Sequence, residues 1–362
     1  MTGYEDQLQQ WSEALSDDAD LLIYGCDFAA TDEGLQLLNQ VADWTGADVA
    51  ASDDLTGSAA LGGDWDFEAT VGSVEAEVAF DAATQINYSG VLAVTAGLNA
   101  GSQQVTFTGG ATADELYLQF NDNDLLAYST DNITFSTDLS GQTLNKNTFK
   151  SEGYQINVSL GSGEDTLGID ASITEALGNA NDVTAWDVSG VGSGTVDAGD
   201  ATDAVSFTNV EKLAGGTNKD TFTLKATGDV SSVAGGGDID TINLSTALVD
   251  NNWAISGEDA GTVGSGAGTL TFETVSNLVG SNTAADKFTV ATAGSLSGLL
   301  DGGANAGNSL SYRGHRGAVT VNLAAESATG ISNFANIDSF AGSTVVATGT
   351  LNATNPPATV AV

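Results

Sequence analysis

The single cysteine of the chain, Cys26, follows the apolar run Leu21–Tyr24, which predicts a buried strand that ends just before the thiol. A thiol in this position could act as a nucleophile, but only if a neighbouring base withdraws its proton. The one histidine, His315, lies far along the sequence, and the carboxylates of Asp20 and Asp27 beside the thiol disfavour the thiolate. We therefore predict that Cys26 is not catalytic and that the chain is not an enzyme.

Glycine pairs that precede an aspartate by a few positions recur along the chain and could bind a hard cation. The copies are "GGTNKDTFT" with Asp220, "GGGDIDTIN" with Asp238 and Asp240, "LGSGEDTLG" with Asp165, and "GGATADELY" with Asp114. Glycine allows the tight left-handed turn, and carboxylates with turn carbonyls offer the oxygen ligands that calcium prefers. The pattern resembles the calcium-binding nonapeptide of RTX-type secreted proteins, which implies calcium as a cofactor held by these aspartates. Because the copies are isolated and degenerate, the alternative is that each one only closes a turn.

The segment "YRGHRG", residues 312–317, contains both arginines and the only histidine of the chain. Arg313, His315 and Arg316 could bind an anion or a glycan, or form the basic half of a glycan-cleaving cluster. The alternative is a basic turn that pairs with neighbouring acids. Polysaccharide cleavage needs cations and carboxylates that converge in a groove, and only six lysines remain elsewhere to build one.

The charge balance excludes several classes of partner. The chain has 48 acidic and 8 basic residues and a formal net charge of −40. A surface of this sign repels the phosphates of nucleic acids and of anionic lipids, so we expect no nucleic-acid binding. No apolar run is long enough to span a bilayer, so we expect no membrane insertion. One cysteine excludes an internal disulfide, and with a single histidine it also excludes a structural zinc site.

From about residue 85 to the C-terminus, short runs of Val, Ile, Thr, Leu and Phe alternate with Gly, Asn, Asp and Ser, without a helix pattern. "FTNVEKLAGGTNKDTFTL" from Phe207 aligns with "FETVSNLVGSNTAADKFTV" from Phe272 and with "FANIDSFAGST" from Phe334, which gives a period of roughly 65 residues. Inside one repeat, "AGGTNKDTFTL" aligns with "AGGGDIDTINL" at an offset of about 20 residues. Stacked coils of this length predict a mainly β fold, a parallel β-solenoid (β-helix), with an array of β-sandwiches as the alternative.

Further residues hold the same register. The equivalent sets are Leu213, Leu278 and Phe340, and Val233 with Leu299. Trp186 and Trp253 are separated by nearly the same interval. Because both tryptophans recur at the repeat period, we predict a structural position for them rather than sugar stacking on an exposed face.

Residues 1–80 differ, because helix and strand patterns alternate there. "YEDQLQQWSEALS", with Tyr4, and "TDEGLQLLNQVADWTG", from the N-cap Thr31 to the stop signal Gly46, predict helices; "ADVAAS" predicts a second strand. The series "YGC", "TGADVAASDDLTG" and "LGGDWD" closely resembles the C-terminal part of a caspase-like domain of unknown function, which opens very large, repeat-rich bacterial surface or secreted proteins. The resemblance covers residues 4–80 and implies that Cys26 matches the cysteine of a peptidase-like site. The histidine that the family places upstream of it has no counterpart in this sequence.

These patterns predict a partial caspase-like α/β segment at 1–80, a β-rich connecting module at 81–150 and long β-solenoid repeats at 151–362. We expect a fragment of a large secreted or cell-surface, adhesin-like bacterial protein with a structural role. Expected partners are calcium ions and glycans or cell-surface or matrix polymers, and uncapped coils could self-associate end to end. The alternatives are a remnant or part of a cysteine peptidase-like enzyme, and a glycan-binding or glycan-cleaving β-helix.

Overall fold

The computed structural model describes residues 8–16, 19–25, 28–30, 32–54, 56–57, 59, 63–87, 94–110, 113–176, 183–197, 205–247, 250–265, 268–343, 349–352 and 359–361. The chain divides into two compact units. The first comprises Met1–Thr95, Thr108–Asp114 and Gly161–Gly163, and the second comprises Ala96–Phe107, Glu115–Leu160 and Glu164–Val362.

In the first unit, a helix packs against a small sheet. The strands are β1 (Asp20–Ile23), β2 (Asp48–Ala51) and β3 (Ala69–Val71), with β1 parallel and β3 antiparallel to the central β2. The helices are Asp32–Thr45, Ala82–Asn87 and the 3-10 helix Gln10–Glu13. Leu38 of the long helix packs with Val49 and Ala51 of β2, and these three side chains form the buried core with Ala29.

The predicted elements of the first unit are found with small shifts in their bounds. Gly46 ends the long helix as expected: it has a left-handed φ of 72°, and its N–H donates to the Ala42 carbonyl at 2.8 Å. Both predicted strands form. The first predicted helix is helical at residues 8–9 and continues as the 3-10 helix, while Tyr4 and Thr31 lie outside the described residues.

The second unit is built mainly from strands. In chain order these are β4 (Thr95–Asn99), β5 (Gln104–Thr108), β6 (Glu115–Phe120), β7 (Leu126–Ser129), β8 (Gln155–Ser159), β9 (Thr166–Ile169), β10 (Val183–Gly190), β11 (Ser193–Asp197), β12 (Val205–Thr208), β13 (Lys212–Ala214), β14 (Lys219–Leu224), β15 (Ser232–Ala234), β16 (Thr241–Asn243), β17 (Asn251–Gly257), β18 (Ala260–Ser265), β19 (Gly268–Glu273), β20 (Asn277–Val279), β21 (Asp286–Val290), β22 (Leu296–Asp301), β23 (Ser309–Ser311), β24 (Val319–Asn322), β25 (Ser327–Ala328), β26 (Ile331–Ala335), β27 (Ser339–Ala341), β28 (Gly349–Asn352) and β29 (Thr359–Ala361). The mainly β character predicted from the sequence is confirmed.

These strands form two large sheets. The fourteen-stranded sheet has the order β28-β24-β25-β26-β22-β20-β16-β14-β10-β11-β12-β8-β5-β4. The twelve-stranded sheet has the order β29-β27-β23-β21-β17-β18-β19-β15-β13-β9-β6-β7. The strands within 81–150, β4 to β7, lie at one end of these orders.

From β8 onward the chain alternates between the two sheets, and single strands pair in parallel with the next strand of their own sheet. Thr221 pairs with Thr241 and Leu278 pairs with Leu300, so one such step takes about 20 residues, as in the coil predicted from the sequence. Among the described strands, antiparallel meanders interrupt this pattern at β10–β12, β17–β19 and β24–β26. The sheets are therefore mixed, whereas the sequence predicted parallel strands throughout.

The long repeat found in the sequence alternates between the sheets. One meander and four single strands separate the start of one meander from the start of the next, so the chain crosses between sheets an odd number of times per repeat. Leu213 consequently lies in the twelve-stranded sheet, its equivalent Leu278 in the fourteen-stranded sheet and Phe340 in the twelve-stranded sheet again.

One predicted equivalence is off by a single position. Leu299 does not match the buried Val233, because Leu300 is the buried side chain of β22 and Leu299 is only half-buried. A register shift between Leu296 and Leu299 in β22 explains the difference.

The inner faces of the two sheets meet in a core of alternating apolar residues. In β14 every second side chain is buried, as in β21, which is the signature of a strand with one face inward. Phe334 of the fourteen-stranded sheet contacts Phe340 of the twelve-stranded sheet, with ring centroids 5.1 Å apart.

The expectation that helices are missing after residue 85 is wrong. A helix spans Lys146–Glu152 and another spans Ala171–Ala176. The first begins at the N-cap Asn145, whose side chain accepts the N–H of Asn147 at 2.9 Å, and ends at Gly153 in the left-handed conformation. No helix among the described residues is both long enough and apolar enough to cross a membrane.

Candidate functional site

Two of the predicted Gly–Asp motifs form a hydrogen-bonded turn around a buried carboxyl group, which we call a clasp. In a clasp, the carboxyl group at the start of a strand accepts a backbone N–H from four or five positions earlier. Asp220 Oδ2 accepts the N–H of Gly216 at 3.0 Å, and Asp114 Oδ2 accepts the N–H of Gly110 at 2.7 Å. Glycine is required beside the carboxyl group, because a Cβ at Gly215 would lie 2.6 Å from Asp220 Oδ2.

A third clasp was not predicted. Asp286 Oδ2 accepts the N–H of Ser281 at 2.7 Å, and a Cβ at Gly280 would lie 2.5 Å from the same oxygen. The spacing from Gly280 to Asp286 is one position longer than in the nonapeptide, so a search at fixed spacing misses it. Its signal in the sequence is the repeat register, which pairs Asp220 with Asp286.

Two of the clasps bind a tryptophan. Trp186 Nε1 donates to Asp220 Oδ1 at 2.9 Å, and the indole stacks on Phe222 at a centroid distance of 5.3 Å. In the other sheet, Trp253 Nε1 donates to Asp286 Oδ1 at 2.7 Å, and the indole stacks on Phe288 at 5.5 Å. Both indoles are buried. This geometry agrees with the structural position predicted for the tryptophans.

Hydrogen bonds connect each Trp–Asp clasp to the turn that precedes the next strand of the same sheet. Asp240 Oδ1 accepts the N–H of Asp220 at 2.8 Å, and Asn308 Oδ1 accepts the N–H of Asp286 at 2.9 Å. Asp338 Oδ2 in turn accepts the N–H of Asn308 at 2.9 Å. Each side chain therefore satisfies the backbone of the adjacent strand, where the ladder of the sheet does not reach it.

The carboxyl groups of the clasps and of the Asp240 turn are buried, and this burial raises their pKa. Asp220 and Asp240 have no exposed surface. Burial raises the pKa of Asp220 to about 7 and that of Asp240 to about 6. It also raises the pKa of Asp114 and of Asp286. A bound cation would favour the charged form, whereas these surroundings favour the neutral form.

The predicted calcium ligands do not converge. Among the described residues, none of the five aspartates belongs to a group of three carboxylates within ligand distance of one another. Asp165 is buried and its backbone N–H donates to Glu211 Oε2, while Asp238 is exposed, with a left-handed φ of 66° and its own carboxylate accepting the next N–H. We interpret Asp220 and Asp240 as turn-closing residues, the alternative that the sequence left open; calcium binding itself stays an untested prediction.

Acidic groups that the sequence analysis did not single out do come together in the first unit. Asp20, Asp48 and Glu75 place carboxylate oxygens within 4.8 Å of one another, as do Asp53, Asp54 and Glu68. Asp20 and Asp48 are register partners on β1 and β2, which explains their proximity. Asp20 Oδ2 accepts the backbone N–H groups of Glu75 and Ala76, at 3.0 and 2.7 Å, so this carboxylate has a local structural role.

The basic segment does not form a convergent cluster. His315 is buried, its Nδ1 lies 3.0 Å from the Gly317 nitrogen, and its ring meets Tyr312 edge-on at 5.7 Å. Arg313 and Arg316 are exposed, and in the described part of the chain neither arginine forms an ion pair. The imidazole therefore closes a turn, and the predicted pairing of the arginines with acids has no counterpart among the described contacts.

Cys26 and Asp27 lie outside the described residues. The structure describes the strand that leads to them, and Tyr24 at its end belongs to an aromatic cluster that the sequence analysis did not identify. Tyr24 lies 5.0 Å from Phe67 and 5.2 Å from Phe80, and Phe80 lies 5.1 Å from Trp65. The Tyr24 hydroxyl accepts the N–H of Ala79, which fixes the ring in place.

The N-terminal region matches a family model described as a domain of unknown function (DUF4347), over residues 1–92. The match covers about a quarter of the chain. The comparisons with curated proteins and with solved structures found no match. The chain is thus similar, at its N-terminus, to an uncharacterised domain.

Proposed function

We propose that the second unit is a two-sheet β-solenoid with inserted meanders, and that it serves as a structural, non-enzymatic segment of a large secreted or cell-surface, adhesin-like protein. The regular parallel pairing of successive single strands, as of Thr221 with Thr241 and of Leu278 with Leu300, supports the solenoid. The resemblance of residues 4–80 to a domain that opens giant bacterial surface proteins supports the context.

The observation that carries this proposal is the repeated Trp–Asp clasp. The same indole–carboxylate hydrogen bond occurs in both sheets, at Asp220 and at Asp286, and it is buried each time. Polar groups that could do chemistry are thus used to satisfy backbone and indole N–H groups inside the core. A solenoid needs such internal partners because its turns bring polar groups into the interior of the stack.

Direct assays for catalytic activity test the proposal that the segment is not an enzyme. The purified chain, Cys26→Ala and His315→Ala are assayed against a fluorogenic peptide library and against acidic and neutral polysaccharides. We expect the same background rate for all three proteins. Turnover that disappears in either variant would show an enzyme and contradict the structural role.

A calcium-stabilised segment remains part of the proposed function, without an assigned ligand set. A ligand that binds only the folded state raises the melting midpoint. The measurement is a thermal melt in millimolar calcium against a chelator, with magnesium as the control for non-specific screening. An unchanged midpoint would leave a calcium-independent scaffold.

The rival proposal is that the chain is a remnant or part of a cysteine peptidase-like enzyme. The position of Cys26 in the sequence, shortly after β1, favours this alternative. The proposed partners of the scaffold are glycans or cell-surface or matrix polymers, and stacked copies of the chain itself. Concentration-dependent light scattering distinguishes end-to-end association, which grows without a fixed size, from a monomer or a closed oligomer.

A further inference from the structure

Asp240 is a buried carboxyl group with one oxygen that has no partner. Its side chain has no exposed surface, and Oδ1 accepts the N–H of Asp220 at 2.8 Å. Oδ2 is buried and has no hydrogen-bond partner among the described residues. A buried polar atom left in this state needs a physical explanation, because desolvation without compensation is costly.

The equivalent position in the other sheet supplies the explanation. Asn308 also has no exposed surface, and its Oδ1 accepts the N–H of Asp286 just as Asp240 accepts that of Asp220. Its second atom is a donor: Asn308 Nδ2 donates to the Asn336 carbonyl at 3.1 Å and to the Asn305 carbonyl at 2.8 Å.

The atoms around the two side chains correspond closely. A Cβ at Gly302 would lie 2.7 Å from Asn308 Nδ2 and 2.3 Å from the Asn336 carbonyl oxygen. A Cβ at Gly235 would lie 2.6 Å from Asp240 Oδ2 and 2.3 Å from the Thr274 carbonyl oxygen. Asp240 Oδ2 thus corresponds to the amide nitrogen of Asn308, and the Thr274 carbonyl oxygen corresponds to that of Asn336.

The backbone N–H that donates to the carboxyl group in a clasp has a different acceptor at both of these positions. In the Asp220 clasp, the N–H of Gly216 donates to the carboxyl group. In the Asp240 turn, the corresponding N–H of Gly236 donates to Thr274 Oγ1 at 2.9 Å. In the Asn308 turn, the N–H of Gly303 donates to Asp301 Oδ1, also at 2.9 Å. With the backbone donor diverted, the common polar neighbour at the two positions is a backbone carbonyl, which Asn308 satisfies with its amide hydrogens.

We propose that Asp240 is a neutral carboxylic acid in the folded protein, with its proton on Oδ2 and donated to the Thr274 carbonyl, and that release of this proton to solvent loosens the stacked clasps. The proton does for Asp240 what the amide hydrogens do for Asn308. An ionised Oδ2 would face a carbonyl oxygen with no donor, which destabilises the fold.

The surroundings favour the neutral form. The ionisable groups that face Asp240 are two other acids, Asp220 on β14 and Asp238 in its own turn. On the β20 side the N–H of Asn277 donates to the backbone carbonyl of Asp240, and Glu273 beside Thr274 has an exposed side chain. Burial raises the pKa of Asp240 to about 6 and that of Asp220 to about 7, so the linked pair retains a proton well above the ordinary range of an aspartate. Asp240 is the member of this pair whose second oxygen meets no donor among the described residues, because both oxygens of Asp220 accept hydrogen bonds.

The test uses the full chain, in chelator and at constant ionic strength, with melting midpoints measured near pH 5 and near pH 8. We expect Asp240→Asn to raise the midpoint at pH 8 by about 2–4 °C and to change it little at pH 5. The reciprocal variant Asn308→Asp should lower the midpoint at pH 8 and not at pH 5. Asp238→Asn, which removes a neighbouring exposed charge, is the matched control; because that charge raises the pKa of Asp240, the control should raise the pH 8 midpoint less than Asp240→Asn does.

A spectroscopic measurement covers the case in which a variant does not fold. Infrared difference spectra of the wild type near pH 6 should contain a carboxylic-acid C=O band. The intensity of this band should fall over the same pH range as the melting midpoint. The band should lose the intensity contributed by Asp240 in Asp240→Asn, leaving that of the other buried acids such as Asp220, and should retain it in Asp238→Asn. The proposal is overturned if the band keeps its full wild-type intensity in Asp240→Asn, if Asp240→Asn lowers the midpoint at pH 8, or if added calcium raises the wild-type midpoint at pH 8 but not that of Asp240→Asn.

Discussion

Single residues in the second unit are constrained by polar contacts as much as by apolar packing. Trp186 and Trp253 could have been ordinary core residues, yet each indole N–H is paired with a buried carboxyl group. The repeat period was enough to predict that both tryptophans are structural. It could not show which acid each one meets, because Asp220 and Asp286 lie on neighbouring strands that are distant in sequence from the indoles.

Removing the indole N–H of Trp186 should lower the free energy of unfolding by an amount that depends on pH. Trp186→Phe keeps an aromatic ring but leaves Asp220 Oδ1 without its donor. A hydrogen bond to a charged group contributes about 1.5–3 kcal/mol, so we expect a loss of this order in the free energy of unfolding. The loss should be larger near pH 8, where Asp220 is ionised, than near pH 5. Urea unfolding followed by circular dichroism measures it, with Trp253→Phe as the equivalent change in the other sheet; a loss that is equal at both pH values would contradict the role of the carboxylate.

The clasp glycines should not tolerate a methyl group. A Cβ at Gly215 would lie 2.1 Å from the Gly235 carbonyl oxygen, which is backbone and cannot move away cheaply. We expect Gly215→Ala to lower the free energy of unfolding by about 1–3 kcal/mol, the usual cost of overpacking. At Gly342 an added Cβ meets no atom of the described residues within 4 Å, so Gly342→Ala is the control and should change stability by less than about 0.5 kcal/mol. Equal effects of the two substitutions would contradict the steric argument.

At the scale of elements, the sequence predicted those helices and strands whose formation depends on interactions between residues close in the chain. The helix Asp32–Thr45 follows from its apolar spacing and Gly46, and the alternation in β14 and β21 follows from the period of a strand. The meanders were not predicted, because a hairpin strand and a parallel strand have the same alternating pattern. The partner of each strand is determined by contacts between residues that are distant in sequence. The pattern of residues in one sequence does not reveal such contacts.

The helix Lys146–Glu152 shows a signal that was present and overlooked. Asn145 is an N-cap whose side chain accepts the N–H of Asn147, and Gly153 supplies the left-handed C-terminal residue. We expect Asn145→Ala to destabilise the fold by about 1 kcal/mol, because the cap hydrogen bond is lost. Asn145→Asp keeps an acceptor at the same place and should be close to the wild type. Chemical denaturation compares the three proteins; equal losses in both variants would mean that the cap does not contribute.

For the whole molecule, charge and buried acids act in the same direction. The net charge of −40 destabilises the folded chain by self-repulsion. Ionisation of the buried Asp220 and Asp240, whose pKa values are raised, destabilises it further. A group whose pKa is higher in the folded state contributes stability that is complete below its unfolded pKa. That contribution is lost as the pH rises through the folded pKa, here between about 6 and 7.

The protein should therefore be more stable in mild acid than at neutral pH, and salt should narrow the difference. We expect the melting midpoint to fall between pH 5 and pH 8, and added sodium chloride to raise the pH 8 midpoint by screening the surface charges. The part that arises from the buried acids is insulated from solvent and should persist in high salt. A midpoint that becomes independent of pH in high salt would mean that surface charge alone is responsible.

The odd number of sheet crossings in each repeat has a consequence for how such a gene can grow. Duplication of one repeat would move every later strand to the opposite sheet, so that each downstream surface feature would change sides. Duplication of two repeats restores the original sides. Recombination within such an array is therefore subject to a parity rule: lengths that differ by an even number of repeats present the same surfaces, and lengths that differ by an odd number present them exchanged.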